Sequence, residues 1–134
     1  VEIEGREYVD GGIACAVPLF EDIPCESDRL VLVLTRHKGY RKKPVPETVQ
    51  RIYRRHFRNA PGLVDRLVTA PQRYNERMDK IDALEEEGKA FVIRPRKPVT
   101  VSRIEKDVEK LSALYHEGRR DAESAYQDLL AFLG

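Results

Sequence analysis

The chain has 134 residues, with 24 Lys and Arg against 23 Asp and Glu and a formal net charge of +1. That length suits one domain, and 41% hydrophobic content supplies a modest core. With 35% charged residues and no apolar run of about 18 residues, a membrane-spanning helix is excluded, and no secretory signal pattern is visible.

Gly5 makes a hairpin turn leading into a short strand over Arg6–Val9, which ends at Asp10. The following Gly11-Gly12 pair allows positive φ and close approach of another chain or a substrate. Asp10-Gly11-Gly12 therefore reads either as an ordinary turn or as the mount of a catalytic carboxylate. Pro18 opens a brief helical turn through Leu19, Phe20 and Ile23. Asp28–Arg36 contains the run Leu30-Val31-Leu32-Val33-Leu34, too short for a buried helix. It predicts a strand covered on both faces in a parallel sheet. The loop His37-Lys38-Gly39-Tyr40 follows its C-terminal end, where open α/β sheets build their sites.

From Pro46-Glu47 a helix carries Val49, Ile52, Tyr53, His56 and Phe57 on one face. A second, shorter helix with Leu63, Val64, Leu67 and Val68 is expected to end at Pro71. A third carries Tyr74, Met78, Ile81 and Leu84 and closes at Gly88. Ala90–Ile93 repeats the buried-strand pattern, so the whole reads as a parallel βαβ unit with a long crossover. Val99 and Val101 are too few for a strand. Asp107 caps a helix through Leu111, Leu114 and Tyr115 that stops at Gly118. A final helix presents Ala122, Ala125, Tyr126, Leu129, Leu130 and Leu133, and these two helices cover one sheet face.

Cys15 and Cys25 lack the spacing and histidine neighbours of a zinc site, and no metal-ligand cluster appears. Both read as buried small hydrophobes, with a disulfide as the alternative. His56 and His116 read as structural; for His37, at a strand's C-terminal end, a site-lining role is only the alternative. The net charge hides a basic segment in which Arg36, Lys38, Arg41, Lys42, Lys43, Arg51, Arg54, Arg55 and Arg58 are relieved only by Glu47. Such a segment meets an anionic surface or is simply a solvated face. Lys38, Arg41 and Lys42 are the candidates for gripping a head-group phosphate.

Tyr8-Val9-Asp10-Gly11-Gly12, Val17-Pro18, Asp28 to Arg36 and Lys38-Gly39-Tyr40-Arg41-Lys42-Lys43-Pro44 together resemble the bacterial patatin-like phospholipases. Leu84 to Pro95 and Ser102-Arg103-Ile104-Glu105-Lys106-Asp107 are similar to the same family, so the resemblance spans nearly the whole chain in order. It implies the C-terminal portion of a three-layer α/β/α sandwich with a few parallel strands. Residues 1–45 would be the distal part of the catalytic domain, and residues 46–134 a helix-rich extension whose strand near 90–94 joins the same sheet.

Those enzymes are serine acyl hydrolases with a Ser–Asp dyad whose aspartate lies in a DG[GA] motif, the position of Asp10 here. A carboxylate is a weak base in water and gains strength from placement and partial desolvation. Glycines at 11 and 12 leave room for the serine to approach. Ser27, Ser102, Ser112 and Ser124 all lack the G-x-S-x-G elbow, which needs small neighbours for its strained turn. The expectation is thus a C-terminal fragment, inert alone, whose serine lies in an upstream part of the same protein. It would act on a lipid or acyl ester without a cofactor, in the cytoplasm or peripheral to a membrane, with no nucleic acid as partner and with self-association of the fragment. The alternatives are a non-catalytic basic module for anionic membrane or RNA and a structural subdomain in which Asp10 is only a turn residue.

Overall fold

The structure, a computed structural model, describes residues 1–24, 26–102 and 104–134. The expected burial of Cys25 and the resemblance at Arg103 lie outside the described residues. Among the described residues four short strands and three α-helices make a mixed α/β arrangement: β1 (Glu2–Ile3), β2 (Arg6–Glu7), β3 (Leu30–Val33), α1 (Glu47–His56), α2 (Pro61–Glu86), β4 (Ala90–Ile93) and α3 (Val108–Leu133). They fall into two compact units. The first comprises Val1–Glu26 with Arg41–Asp82, the second Ser27–Tyr40 with Ala83–Gly134, so each draws on both sides of residue 45.

The first unit opens with the β1–β2 hairpin, paired antiparallel with Ile3 opposite Arg6. Glu4 (φ 51°) and Gly5 (φ 74°) are both left-handed, the two-residue turn whose twist matches flanking strands. β2 stops at Glu7, short of the expected Val9. The Val1 ammonium still donates to Tyr8 O at 2.9 Å and Tyr8 N donates back to Val1 O at 2.7 Å. The brief helical turn expected after Pro18 is a 3-10 turn over Phe20–Asp22, flanked by Leu19 and Ile23.

The expected break at Pro71 does not occur. α2 runs unbroken for 26 residues with Pro71 inside it. Pro71 removes one backbone donor, a cost of about 3 kcal/mol in a helix interior. The apolar stripe passes through it in phase: Val64, Leu67, Pro71, Tyr74, Met78 and Ile81 are all buried or half-buried. Fully burying an aliphatic side chain contributes about 1.5–3 kcal/mol, and Val64, Met78 and Ile81 are each 5% exposed or less. Packing outweighs the missing bond. Leu19, at 1%, is the other buried apolar side chain described in this unit. No residue of α1 is buried, and Ile52 is 63% exposed.

In the second unit β3 and β4 pair in parallel, Leu30 opposite Ala90 and Val33 opposite Ile93, as the βαβ reading requires. Leu30 and Leu32 are half-buried, but Val31 and Val33 are exposed, so β3 is covered on one face rather than two. α2 closes as expected at Gly88 (φ 68°), where Lys89 N donates to Leu84 O and Gly88 N to Glu85 O, a Schellman cap. The carboxylate of Asp107 caps α3 by accepting from Glu109 N and Lys110 N. Gly118 does not divide α3 into two helices; the half-buried stripe Leu114, Glu117, Asp121, Ala125, Leu129 and Phe132 continues across it. Phe132, rather than Leu133, faces β4, its ring 5.6 Å from that of Phe91.

A glycine inside a helix costs roughly 0.5–1 kcal/mol relative to alanine, and a Cβ on Gly118 would meet nothing within 4 Å. Gly118→Ala is therefore expected to stabilise the fold by about that amount, read from the urea midpoint. A lower midpoint would contradict the continuous helix.

Candidate functional site

Asp10 caps a 3-10 turn over Gly11–Ile13: its Oδ1 accepts from Gly12 N at 2.6 Å, and Ile13 N donates to Asp10 O. The carboxylate is exposed, so the partial desolvation expected of a catalytic base is not seen. Among the described residues Oδ2 has no partner. A Cβ on residue 12 would lie 3.0 Å from Asp10 Oδ1, whereas one on residue 11 would meet nothing. A side chain at residue 12 would therefore press on the Asp10 carboxylate, which would have to shift by a few tenths of an ångström.

The loop after this turn is fastened to α2 by Arg73. Its guanidinium donates to Ile13 O at 2.7 Å, Ala14 O at 2.8 Å and Arg66 O at 3.0 Å. Its Nε is buried without a hydrogen-bond partner. A second tie forms one turn on, where Arg77 pairs with Asp22 at 2.7 Å and Glu21 at 3.0 Å, and Lys80 reaches Glu21 at 3.3 Å.

Between this loop and α2 lies a pocket of about 470 Å³, walled by Gly12–Ala16 and by side chains of α2. Five cations line it, Lys42, Arg66, Arg73, Arg77 and Lys80, against the carboxylates of Asp22 and Glu76. Cys15, a free and half-buried thiol, lines this polar pocket with its Sγ 3.9 Å from Arg77 Nη2, in place of the expected apolar burial.

The three basic candidates part company. Lys38, in the second unit, pairs with Glu85 at 3.0 Å. Arg41 pairs with Asp79 at 2.5 Å and Asp82 at 3.4 Å. Hydrogen bonding to Asp79 chiefly holds Arg41 protonated above its ordinary range, with burial opposing and Asp82 adding to it. Lys42 alone of the three lines the pocket. Asn75 holds its backbone at both ends, accepting from Lys42 N at 2.8 Å and donating to Lys42 O at 3.0 Å, while its Nζ lies 4.1 Å from the Tyr74 ring centroid. His37 stands edge-on to Tyr40 at 5.9 Å in the second unit, its Nδ1 buried without a partner. His56 and His116 are exposed.

Arg66, Arg73, Arg77 and Lys80 escaped the sequence reading. Their spacing of seven, four and three puts them on one helix face. Ending a helix at Pro71 separated Arg66 from the other three.

The Leu19 N–H is the main cause holding the Asp22 carboxyl below its usual range, against the opposing effect of burial and with Arg77 assisting. Glu21 is lowered chiefly by a backbone hydrogen bond, with Lys80 and Arg77 adding to it. Depressed carboxyls stabilise the fold above their ordinary range, and that stability is lost as pH falls through the folded value. On acidification the Leu19 amide resonance is expected to titrate with a midpoint below that of an ordinary aspartate. A midpoint at or above the ordinary value, or one unaltered by Asp22→Asn, would remove this tie from the fold.

No group of three or more His, Cys, Asp or Glu among the described residues is placed to hold a metal ion. No described helix is long and apolar enough to cross a membrane. Comparison with curated proteins and with solved structures returns no match. Residues 60–134, from the start of α2 to the end of α3, match a family described as a domain of unknown function, DUF6363, and the chain belongs to that family.

Proposed function

We propose that this chain is the distal part of a patatin-like serine acyl hydrolase, acting on a phospholipid or related acyl ester, with Asp10 as the carboxylate of a Ser–Asp dyad. The observation that carries this is the state of Asp10. One carboxylate oxygen is fixed by the Gly12 N–H at 2.6 Å, and the other has no hydrogen-bond partner among the described residues. A general base needs a held orientation and one oxygen within reach of the proton it takes. The exposed Val31 and Val33 of β3 add support, because parallel strands are ordinarily covered on both faces. They suit a strand that belongs to a larger three-layer sandwich.

In this role the serine hydroxyl, supplied by an upstream segment, attacks the ester carbonyl while Asp10 accepts its proton. Joined to a segment bearing a G-x-S-x-G serine, the chain is expected to hydrolyse a short-chain nitrophenyl ester. Asp10→Asn should then lower turnover by about a thousandfold or more, as loss of a dyad or triad carboxylate does, with the circular dichroism spectrum unchanged. Turnover that survives the substitution would make Asp10 a turn residue and nothing more.

A second reading, a module for an anionic membrane surface, rests on α1. Arg51, Arg54 and Arg55 occupy the side opposite Val49, Ile52 and Tyr53. An exposed apolar residue facing away from an arginine stripe fits a helix lying in a lipid interface. Vesicles containing phosphatidylserine are expected to retain the chain in a salt-sensitive way, and Ile52→Glu should abolish retention. Equal retention of the variant, or preference for RNA over vesicles, would dismiss this reading.

A further inference from the structure

We infer that the pocket between the Gly12–Ala16 loop and α2 is a binding site for a phosphate group. The inference does not depend on Asp10 being catalytic. It rests on how the charge around the pocket is, and is not, neutralised.

Five cations meet two carboxylates among the lining residues. Arg77 and Lys80 are satisfied by Glu21 and Asp22. Arg73 is different: its three hydrogen bonds all go to neutral carbonyl oxygens, and no carboxylate among the described residues pairs with it. Arg66, exposed on the same helix face about two turns away, likewise has no ion pair among the described residues. A guanidinium bound only by carbonyls keeps its full positive charge, and where bulk water is partly excluded that charge acts at short range with less screening. The pocket therefore carries a positive charge at Arg73 that the fold fixes in place.

The geometry favours a phosphate over a single carboxylate. Arg66 and Arg73 lie seven residues apart on one face of a continuous helix, and Lys42 reaches the same pocket from a segment that Asn75 clamps to that helix. Cations arriving from separate directions match a tetrahedral dianion with several acceptor oxygens, and the arginine fork suits phosphate oxygens in particular. A volume of about 470 Å³ falls within the range of small-ligand sites, leaving room beyond the phosphate for a small attached group. The shared chemistry is a phosphate group, arriving either as a soluble phosphomonoester or as a lipid head group.

The test is titration of the 134-residue chain with inorganic phosphate and with glycerol 3-phosphate, followed by amide resonances and calorimetry, with chloride as the control anion. Saturable shifts are expected at Gly12 to Ala16 and around Arg66. Arg66→Gln, an exposed substitution that leaves every bond of Arg73 in place, should weaken binding about tenfold or more, the effect of losing one hydrogen bond to a charged group. Its thermal midpoint should stay unchanged. Lys42→Gln should weaken binding in the same sense. Two arms identify the source. Glycerol 3-phosphate binding without retention on phosphatidic acid vesicles assigns a soluble ligand, whereas vesicle retention displaced by inorganic phosphate and lost in Arg66→Gln assigns a lipid head group. Either result supports the site. Absence of saturable binding, shifts confined to α1 or the second unit, or equal affinity in wild type and Arg66→Gln would overturn it, and none of those results bears on ester hydrolysis by Asp10.

Discussion

In the first unit everything depends on an apolar stripe that one proline fails to interrupt. Pro71 takes a donor out of α2, yet it stands within the half-buried line running from Val64 through Leu67, Tyr74 and Met78 to Ile81. Burial of three aliphatic side chains at about 1.5–3 kcal/mol each exceeds the roughly 3 kcal/mol that proline costs a helix interior. The consequence reaches beyond the core. Because the helix is continuous, its neighbouring face is continuous as well, so Arg66, Arg73, Arg77 and Lys80 stand in register along one wall. The rule that buries Met78 and Ile81 thus also aligns the charges around the pocket.

Those charges do two different jobs, and their partners tell them apart. Arg77 and Lys80 are paired with carboxylates and act as fasteners whose strength falls with acid. Arg73 ties the Ile13–Ala14 carbonyls to α2 without a carboxylate, so its tie holds at any pH the fold survives. Hydrogen bonds to a charged group contribute about 1.5–3 kcal/mol, enough to hold an otherwise exposed loop. Asp10 lies three residues before Ile13 in the same turn. The orientation of the carboxylate and the wall of the pocket therefore share one support, Arg73, although the chemistry proposed for each is separate.

How much of this was legible in the sequence follows from what each signal measures. Local chemistry read well: the Gly5 hairpin, the Asp107 cap, the Gly88 stop and each of the two apolar runs were set by residues within a few positions of one another, though the runs themselves pair across about 60 residues. The failures came where a local breaker met a tertiary pattern. Proline at 71 and glycine at 118 are helix stops only if nothing beyond them continues the buried stripe, and in both helices something does. The exposed side of β3 was missed for the opposite reason. A run of five apolar residues predicts burial on both faces, but Val31 and Val33 remain 43% and 73% exposed. The basic face of α2 was present in the spacing and became visible only once the two helical segments were joined.

The basic segment from Arg36 to Arg58 shows why charge counted along a chain is not charge in space. Arg36 lies 4.9 Å above the Tyr40 ring, Lys38 is held by Glu85, and Arg41 by Asp79 and Asp82. Lys42, next to Arg41 in sequence, goes instead to the pocket, because successive residues of an extended segment point to opposite sides. Only the stretch on α1 remains a face of one sign, with Glu47 and Arg51 too exposed and too far apart at 3.8 Å to neutralise it appreciably. Seven of the nine basic residues thus resolve into ring contacts, ion pairs, one pocket wall and one helical stripe. In the pocket itself Arg77 and Lys80 are already paired with carboxylates, whereas Arg66 and Arg73 meet none among the described residues, so the same wall holds both neutralised and unneutralised charge.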